Sequence, residues 1–278
     1  PYGDVWLKMR PLAYEKHPYQ WATIGKNLTQ IEEAKMEDVK AFFAKFYVPS
    51  NAILVVAGAV KTAEVKKLAE HWFGSIPSGV KPVRNLPQEP AQLQEKRQTV
   101  EANVPLNALY MAFHMPARQD ASYYAADLLS DILSRGNSSR LYRRLLKEQQ
   151  LFSDINAYHL GSIDPGLFVI EGKPAPGVSM EAAEQAIWQE LDRLKNEPVA
   201  DEELDKVKNK MESTMEFAEM SLLDKAMNLA YFELLGNAEE LNHETQKYMV
   251  VTAQEIQEQA QQIFREENAS ILSYLAKN

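Results

Sequence analysis

The chain has 278 residues, 45% hydrophobic and 25% charged, the make-up of a globular protein with room for sizeable cores in one large domain or two ordinary ones. It has no cysteine, so disulfides, zinc–thiolate centres and cysteine nucleophiles are excluded. A net charge of -9 argues against a nucleic-acid partner, because phosphate binding needs a basic surface, and no apolar run approaches the ~18 residues of a membrane span.

Residues 4–16 are expected to be helical, with Val5, Leu7, Leu12 and Ala13 among polar positions and Pro11 as a local fault. Residues 17–34 are turn-rich. Residues 36–47 have helical apolar spacing, and 52–60 (AILVVAGAV) read as a buried strand stopped by glycine. Residues 62–76 read as a helix with Thr62 as N-cap and Gly74 just beyond its end. Residues 77–98 hold four prolines and few large apolar side chains, which marks a linker. Two strands are expected within 99–115, helices at 120–135 and 138–149, and a strand pair at 151–159 and 166–172. A helical block follows, at 179–195, 200–220, 222–235, 238–249 and 252–264, then a closing strand at 269–276.

One internal echo bears on architecture. The segment from Met36 (MEDVKAFFAKFYVPSNAILVV) and the segment from Ala253 (AQEIQEQAQQIFREENASILS) align at a constant offset of 217 residues. Val39 meets Ile256, Phe46 meets Ile263, Tyr47 meets Phe264, Asn51 meets Asn268 and Leu54 meets Ile271. The shared unit is an amphipathic helix, a turn through Asn-Ala and a buried strand. A repeat at fixed offset points to a duplicated structural unit. By equal-period logic, about 120 residues of the first copy are expected upstream of Pro1.

Few residues offer chemistry. The five histidines, His17, His71, His114, His159 and His243, include no pair four apart on a helix, so no helical zinc site is expected. In HETQK, Lys247 stands where a second ligand would be needed. Glu212, Glu216 and Glu219 share a helix face without a histidine and read as a solvated stripe. Arg140, Arg143, Arg144 and Lys147 form a basic stripe opposite Leu141, Leu145 and Leu146, read first as an exposed helix face and second as an anion site. No nucleophile elbow, P-loop or dinucleotide fingerprint is present.

AYEKHPYQWATIG, then FYVPSNAILVVAG, then SRGNSSRLYRRLLKEQQL keep the order of motifs seen in the pitrilysin/insulinase (inverzincin) zinc metallopeptidases, the family that includes the mitochondrial processing peptidases, and the chain resembles that family along its length. The resemblance implies an α+β fold: paired homologous domains, each a mixed or antiparallel sheet with helices packed on one face. It implies that residues 1–76 are the C-terminal part of a first peptidase-like domain, 77–98 a linker and 99–278 a second, catalytically inactive domain. The family's zinc is held by H-x-x-E-H and a more distal glutamate, both upstream of the PYG…HPY segment, so zinc is expected in a full-length parent and no metal or catalytic residue in this chain. The family's second-domain pattern L-R-x-E-x-G-L-x-Y falls on LLKEQQLFS. Leu146 then stands for the substrate-facing arginine and Ser153 for the tyrosine, both replaced.

The reading that follows is a fragment of a zinc-dependent metalloendopeptidase subunit, inactive as given, with peptide substrates and a homo- or heterodimeric partner of the same family. The alternative is a non-catalytic structural subunit. An incomplete first copy is also expected to expose an apolar face, through which residues 1–76 dock on another copy or pack tightly on the second domain.

Overall fold

The computed structural model describes residues 1–277, which form two compact units. The first gathers residues 1–22, 87–211 and those from Gln246 onward; the second gathers 23–86 and 212–245.

The first unit is built on a five-stranded mixed sheet, so the fold is α+β. Its strands are β1 (Lys96–Ala102), β2 (Ala108–His114), β3 (Phe152–Leu160), β4 (Leu167–Pro174) and β5 (Ala269–Ala276), in spatial order β1-β5-β2-β4-β3. β1 runs parallel to β5; every other pair is antiparallel. Composition follows position. The inner strands β2 and β5 are nearly continuous apolar runs because both of their faces are covered, whereas the edge strand β1 (KRQTVEA) is largely exposed.

One sheet face is covered by α1 (Val5–Ala13), whose Val5, Met9 and Ala13 recur every four residues and bury with Tyr14 against Tyr110, Val169, Leu272 and Tyr274. Pro11 sits inside this helix without ending it. The opposite face is covered by α5 (Tyr123–Ser134), α6 (Met180–Asn196) and α10 (Ala253–Ile263). Phe264 is the hub of that layer, meeting Phe113 and Phe168 edge to face with ring centroids 5.3 and 5.0 Å apart. α7 (Asp201–Ala218) buries Leu204, Val207 and Met211 from its N-terminal part.

The link from α10 into β5 rests on one amide. Asn268 is buried, and its Nδ2 donates to Ile263 O at 2.8 Å and to His114 O at 3.0 Å. It thereby satisfies a helix-terminal carbonyl and one at the end of β2.

The second unit holds α2 (Thr29–Glu32), α3 (Met36–Phe46), α4 (Thr62–Phe73), the end of α7 and α8 (Leu222–Leu235). Here the echo is seen in detail. Asn51 Nδ2 donates to Phe46 O at 2.9 Å, the same contact as Asn268 makes to Ile263, each after a three-residue 3-10 turn. The following segment departs from expectation: 52–60 is not a strand, and Ile53, Leu54, Val56 and Val60 are exposed. A strand is stabilised by its neighbours' ladder bonds, and no segment among the described residues pairs with this one.

Smaller departures are local. The N-cap of α4 is Lys61, with Thr62 its first helical residue, and Gly74 follows its last helical residue at φ -63. The helix expected at 138–149 is a π-helical segment, Tyr142–Glu148, and 238–249 divides into a 3-10 turn (Ala238–His243) and α9 (Glu244–Met249).

Replacing Asn268 by Ala should cost about 2–3 kcal/mol, since two carbonyls lose a buried donor, whereas the exposed Asn51→Ala should cost under about 0.5 kcal/mol. Urea denaturation of the two variants, followed by circular dichroism, tests the difference; equal losses would contradict it.

Candidate functional site

The segment that carries Leu146 and Ser153 has unusual backbone. Gln149 N–H donates to Arg144 O, a five-residue π closure, and Leu151 N–H donates to Leu145 O. Between them Gln150 sits at φ 54, in the left-handed region that favours glycine, at the position where the family pattern has glycine. β3 then starts with a bulge: Phe152 pairs with Pro174 and Asp154 with Lys173, leaving Ser153 as the extra residue. Ser153 is exposed, and its hydroxyl donates to Lys173 O at 3.1 Å. Leu146 lies half-buried on the π segment. Neither side chain presents a charge or a phenol.

The basic stripe on the same segment is largely paired inside the protein. Arg140 forms a two-pronged pair with Glu203, with contacts of 2.7 to 3.3 Å. Arg144 Nε lies 3.3 Å from the buried Glu190, close enough for an ion pair but not aligned as a hydrogen bond. Burial pushes the Glu190 carboxyl up, and Arg144 and Arg140 only partly offset that. Arg143 pairs loosely with Glu148 at 3.8 Å. Two of the four cations thus pin the segment to α6 and α7, leaving less of the stripe for an outside anion.

Sequence reasoning missed a polar cluster on the buried face of α5. Asp127 accepts from His159 Nε2 at 2.8 Å and from the Tyr248 hydroxyl at 2.6 Å. Burial pushes the Asp127 carboxyl up, but the bonds from His159 and Tyr248 outweigh it and hold the group below its ordinary value. Gly161 N–H donates to His159 Nδ1 at 3.1 Å, so the imidazole carries its proton on Nε2. A Cβ at Gly161 would come within 2.8 Å of that nitrogen, so this close approach needs glycine. Asp131, one turn on from Asp127, is also buried. Both line a cavity of about 420 Å³ with Ser130, Arg135, Asn156 and Glu171. The available signal was the spacing of Asp127, Ser130 and Asp131 inside an otherwise apolar helix.

This cluster holds a proton in place and offers no base, because both His159 nitrogens are engaged. His17 is engaged at one nitrogen: its Nδ1 accepts from Tyr19 N–H at 3.2 Å, while its Nε2 lies 3.2 Å from Asp164 without a hydrogen bond. His114 Nε2 bonds Ala13 O at 2.9 Å, and burial pushes its pKa down. His71 and His243 are exposed, as are Glu212, Glu216 and Glu219. Among the described residues no three histidine or carboxylate groups converge to hold a metal ion, so the residues present do not fit zinc.

Two substitutions probe this architecture. Gln150→Gly should raise stability by about 0.5–1 kcal/mol by relieving the left-handed conformation, read as an increase in Tm. Tyr248→Phe removes a donor from buried Asp127 and should cost about 1–3 kcal/mol at pH 7. Because the folded-state pKa of Asp127 is depressed, its stabilising effect is complete above its unfolded pKa of about 4 and is lost as pH falls through the lower folded value. The Tyr248→Phe deficit should therefore shrink on acidification, and a deficit independent of pH would refute this assignment.

Comparison with known proteins agrees with the geometry. A family model described as the peptidase M16 inactive domain matches residues 34–211. "Zinc protease PqqE" of Helicobacter pylori is 29% identical over 211 residues, covering 75% of this chain and 47% of that protein. The Bacillus subtilis protein named "Uncharacterized zinc protease YmxG" is 22% identical over 262 residues, covering 93% of this chain and 62% of that one. The chain thus spans about half to three fifths of these relatives' length. The crystal structure of a protease from Helicobacter pylori superposes with TM-score 0.90 at 25% identity, over 99% of this chain and 67% of the other. A peptidase M16 inactive domain from Pseudomonas fluorescens superposes with TM-score 0.84 at 18% identity, over 98% and 66%, and supports the fold alone. With a family model matching well over half its length, this chain belongs to the peptidase M16 family through that family's inactive domain.

Proposed function

We propose that the chain is the non-catalytic part of a zinc-dependent metalloendopeptidase subunit, holding unfolded peptide substrates that another domain cuts. The observation that carries this reading is the inactive-domain match at 34–211, on a chain whose described residues include no convergent metal ligands. Leu146 and Ser153, where the family pattern has its substrate-facing arginine and tyrosine, deprive this domain of the charge and phenol that would assist cleavage. In this reading residues 1–76 end a first peptidase-like domain, 77–98 link it, and 99–278 are the second domain. Zinc belongs to a part of the protein outside these residues, and a second family member completes the chamber. The edge strands β1 and β3 suit an extended peptide, whose backbone can add to a sheet edge.

A second reading, a purely structural partner subunit, is favoured by the same two replacements, since a subunit that handles no substrate has no use for the arginine or the tyrosine.

Incubation of the purified chain with zinc and a fluorescent unfolded peptide separates the readings. The expected outcome is saturable binding by anisotropy, no cleavage, and far less than one zinc per chain by metal analysis after dialysis. Cleavage with stoichiometric zinc overturns both readings, and a flat binding curve selects the structural one.

A further inference from the structure

We infer that the cavity between the C-terminal half of α5 and the edge strand β3 is a binding subsite for a basic side chain, the guanidinium or ammonium of a peptide lying along β3. This inference rests on the peptide-holding reading above and gives it a side-chain preference.

One of the residues that line the cavity, Asp131, has an unfilled acceptor. The Asp131 side chain is 1% exposed, and its Oδ1 accepts from Arg135 Nη1 at 3.1 Å. Its Oδ2 is buried and has no hydrogen-bond donor. A carboxylate oxygen held from water without a donor is costly, and a guanidinium is the group that engages both oxygens at once. Arg140 and Glu203 show that two-pronged form elsewhere in the same unit. Arg135 gives Asp131 only half of it, and its own side chain is 51% exposed.

The surroundings favour a cation. Three carboxylates line the cavity, Asp127, Asp131 and Glu171, against one guanidinium, Arg135. Asp127 is fully used by His159 and Tyr248, and Glu171 accepts from the Tyr158 hydroxyl at 3.1 Å. Lys210 adds a favourable charge near Asp131 but is not part of the lining. The C-terminal end of α5, capped by Arg135, borders the cavity and brings the negative end of the helix to it. Burial pushes the Asp131 carboxyl up more than Arg135 pulls it down, in keeping with an oxygen that lacks a donor. A metal ion fits less well, since no three ligand groups converge among the described residues. β3 brings the peptide to the site: it is an edge of the sheet, and its Asn156, Tyr158 and His159 line the cavity.

The test compares two tripeptides on the full 278-residue chain by NMR titration: acetyl-Gly-Arg-Gly-amide, and the same peptide with citrulline, which keeps the shape and loses the charge. The arginine peptide should bind saturably and at least tenfold more tightly than the citrulline peptide. Asp131→Asn should erase that preference. Arg135→Ala should tighten the arginine peptide several-fold by removing the internal competitor, with its fold checked by the dispersion of its NMR spectrum. Equal affinities for the two tripeptides, no binding of the arginine peptide, or weaker binding in Arg135→Ala overturns the inference. Should Asp131→Asn fail to fold, the citrulline comparison and Arg135→Ala decide. Binding of long peptides without charge preference sinks the subsite and leaves the peptide-holding function standing; a charge preference in the tripeptides with no binding of long peptides does the reverse.

Discussion

The sheet of this protein depends on where its last strand goes. β5 lies between β1 and β2, pairing parallel with one and antiparallel with the other, so the segment nearest the C-terminus joins the edge strand to the rest. It is delivered there by the turn after α10, which Asn268 holds by donating back to Ile263 and across to His114. The three groups belong to helix, turn and neighbouring strand, so one amide couples the chain's direction to the strand order. Such a bond contributes modestly by itself, about 1 kcal/mol, but an error there would leave carbonyls buried without donors.

The protein contains its own control for this argument. Residues 36–59 repeat the local chemistry of 253–276: an amphipathic helix and a 3-10 turn that ends on an asparagine donating to the carbonyl five residues back. Tyr47 and Phe264, the residues after the two helices, even share backbone angles, φ -96, ψ 63 and φ -89, ψ 51. Yet one copy leads into a central strand and the other into an exposed segment without strand pairing. Local sequence builds the helix and the turn because their bonds are made within a few residues. A strand's bonds are made elsewhere, so the same sequence logic is silent on whether a ladder partner exists. The apolar residues of 23–86 follow suit: Phe42, Phe43 and Phe46 line α3 at helical spacing and remain about half exposed.

The same distinction explains what could be read in advance. The helices at 36–47, 179–195 and 252–264 and the strands at 151–159 and 269–276 were legible because each has an apolar period and recognisable ends; Thr252, for example, forms a full capping box with Glu255. The π segment was not, because Arg140 to Lys147 have ordinary helical spacing and the extra residue per turn is revealed only by Gln149 reaching Arg144. Gln150 hides its left-handed conformation for a similar reason, since glycine is the usual sign of such a position and is absent. The Asp127 cluster was half visible. Two aspartates within an apolar helix signal buried partners, but Tyr248 lies 121 residues away and nothing in the spacing names it.

The charges of this domain follow one economy of structure. Its bases are engaged in part: His17, His114 and His159 contact backbone groups and acids, and Arg140 and Arg144 face Glu203 and Glu190, with His17 Nε2 and Arg144 Nε left without a hydrogen bond. His159, with both ring nitrogens bonded, has no lone pair for a substrate proton. The acids show the same partial pairing. Asp131 keeps one oxygen without a donor, in a chain whose net charge is -9. A domain released from catalysis keeps the acids and bases its fold requires, because unpaired buried charge is destabilising. An acid that remains half paired under that pressure, beside an open sheet edge, is where recognition can persist after chemistry has been lost.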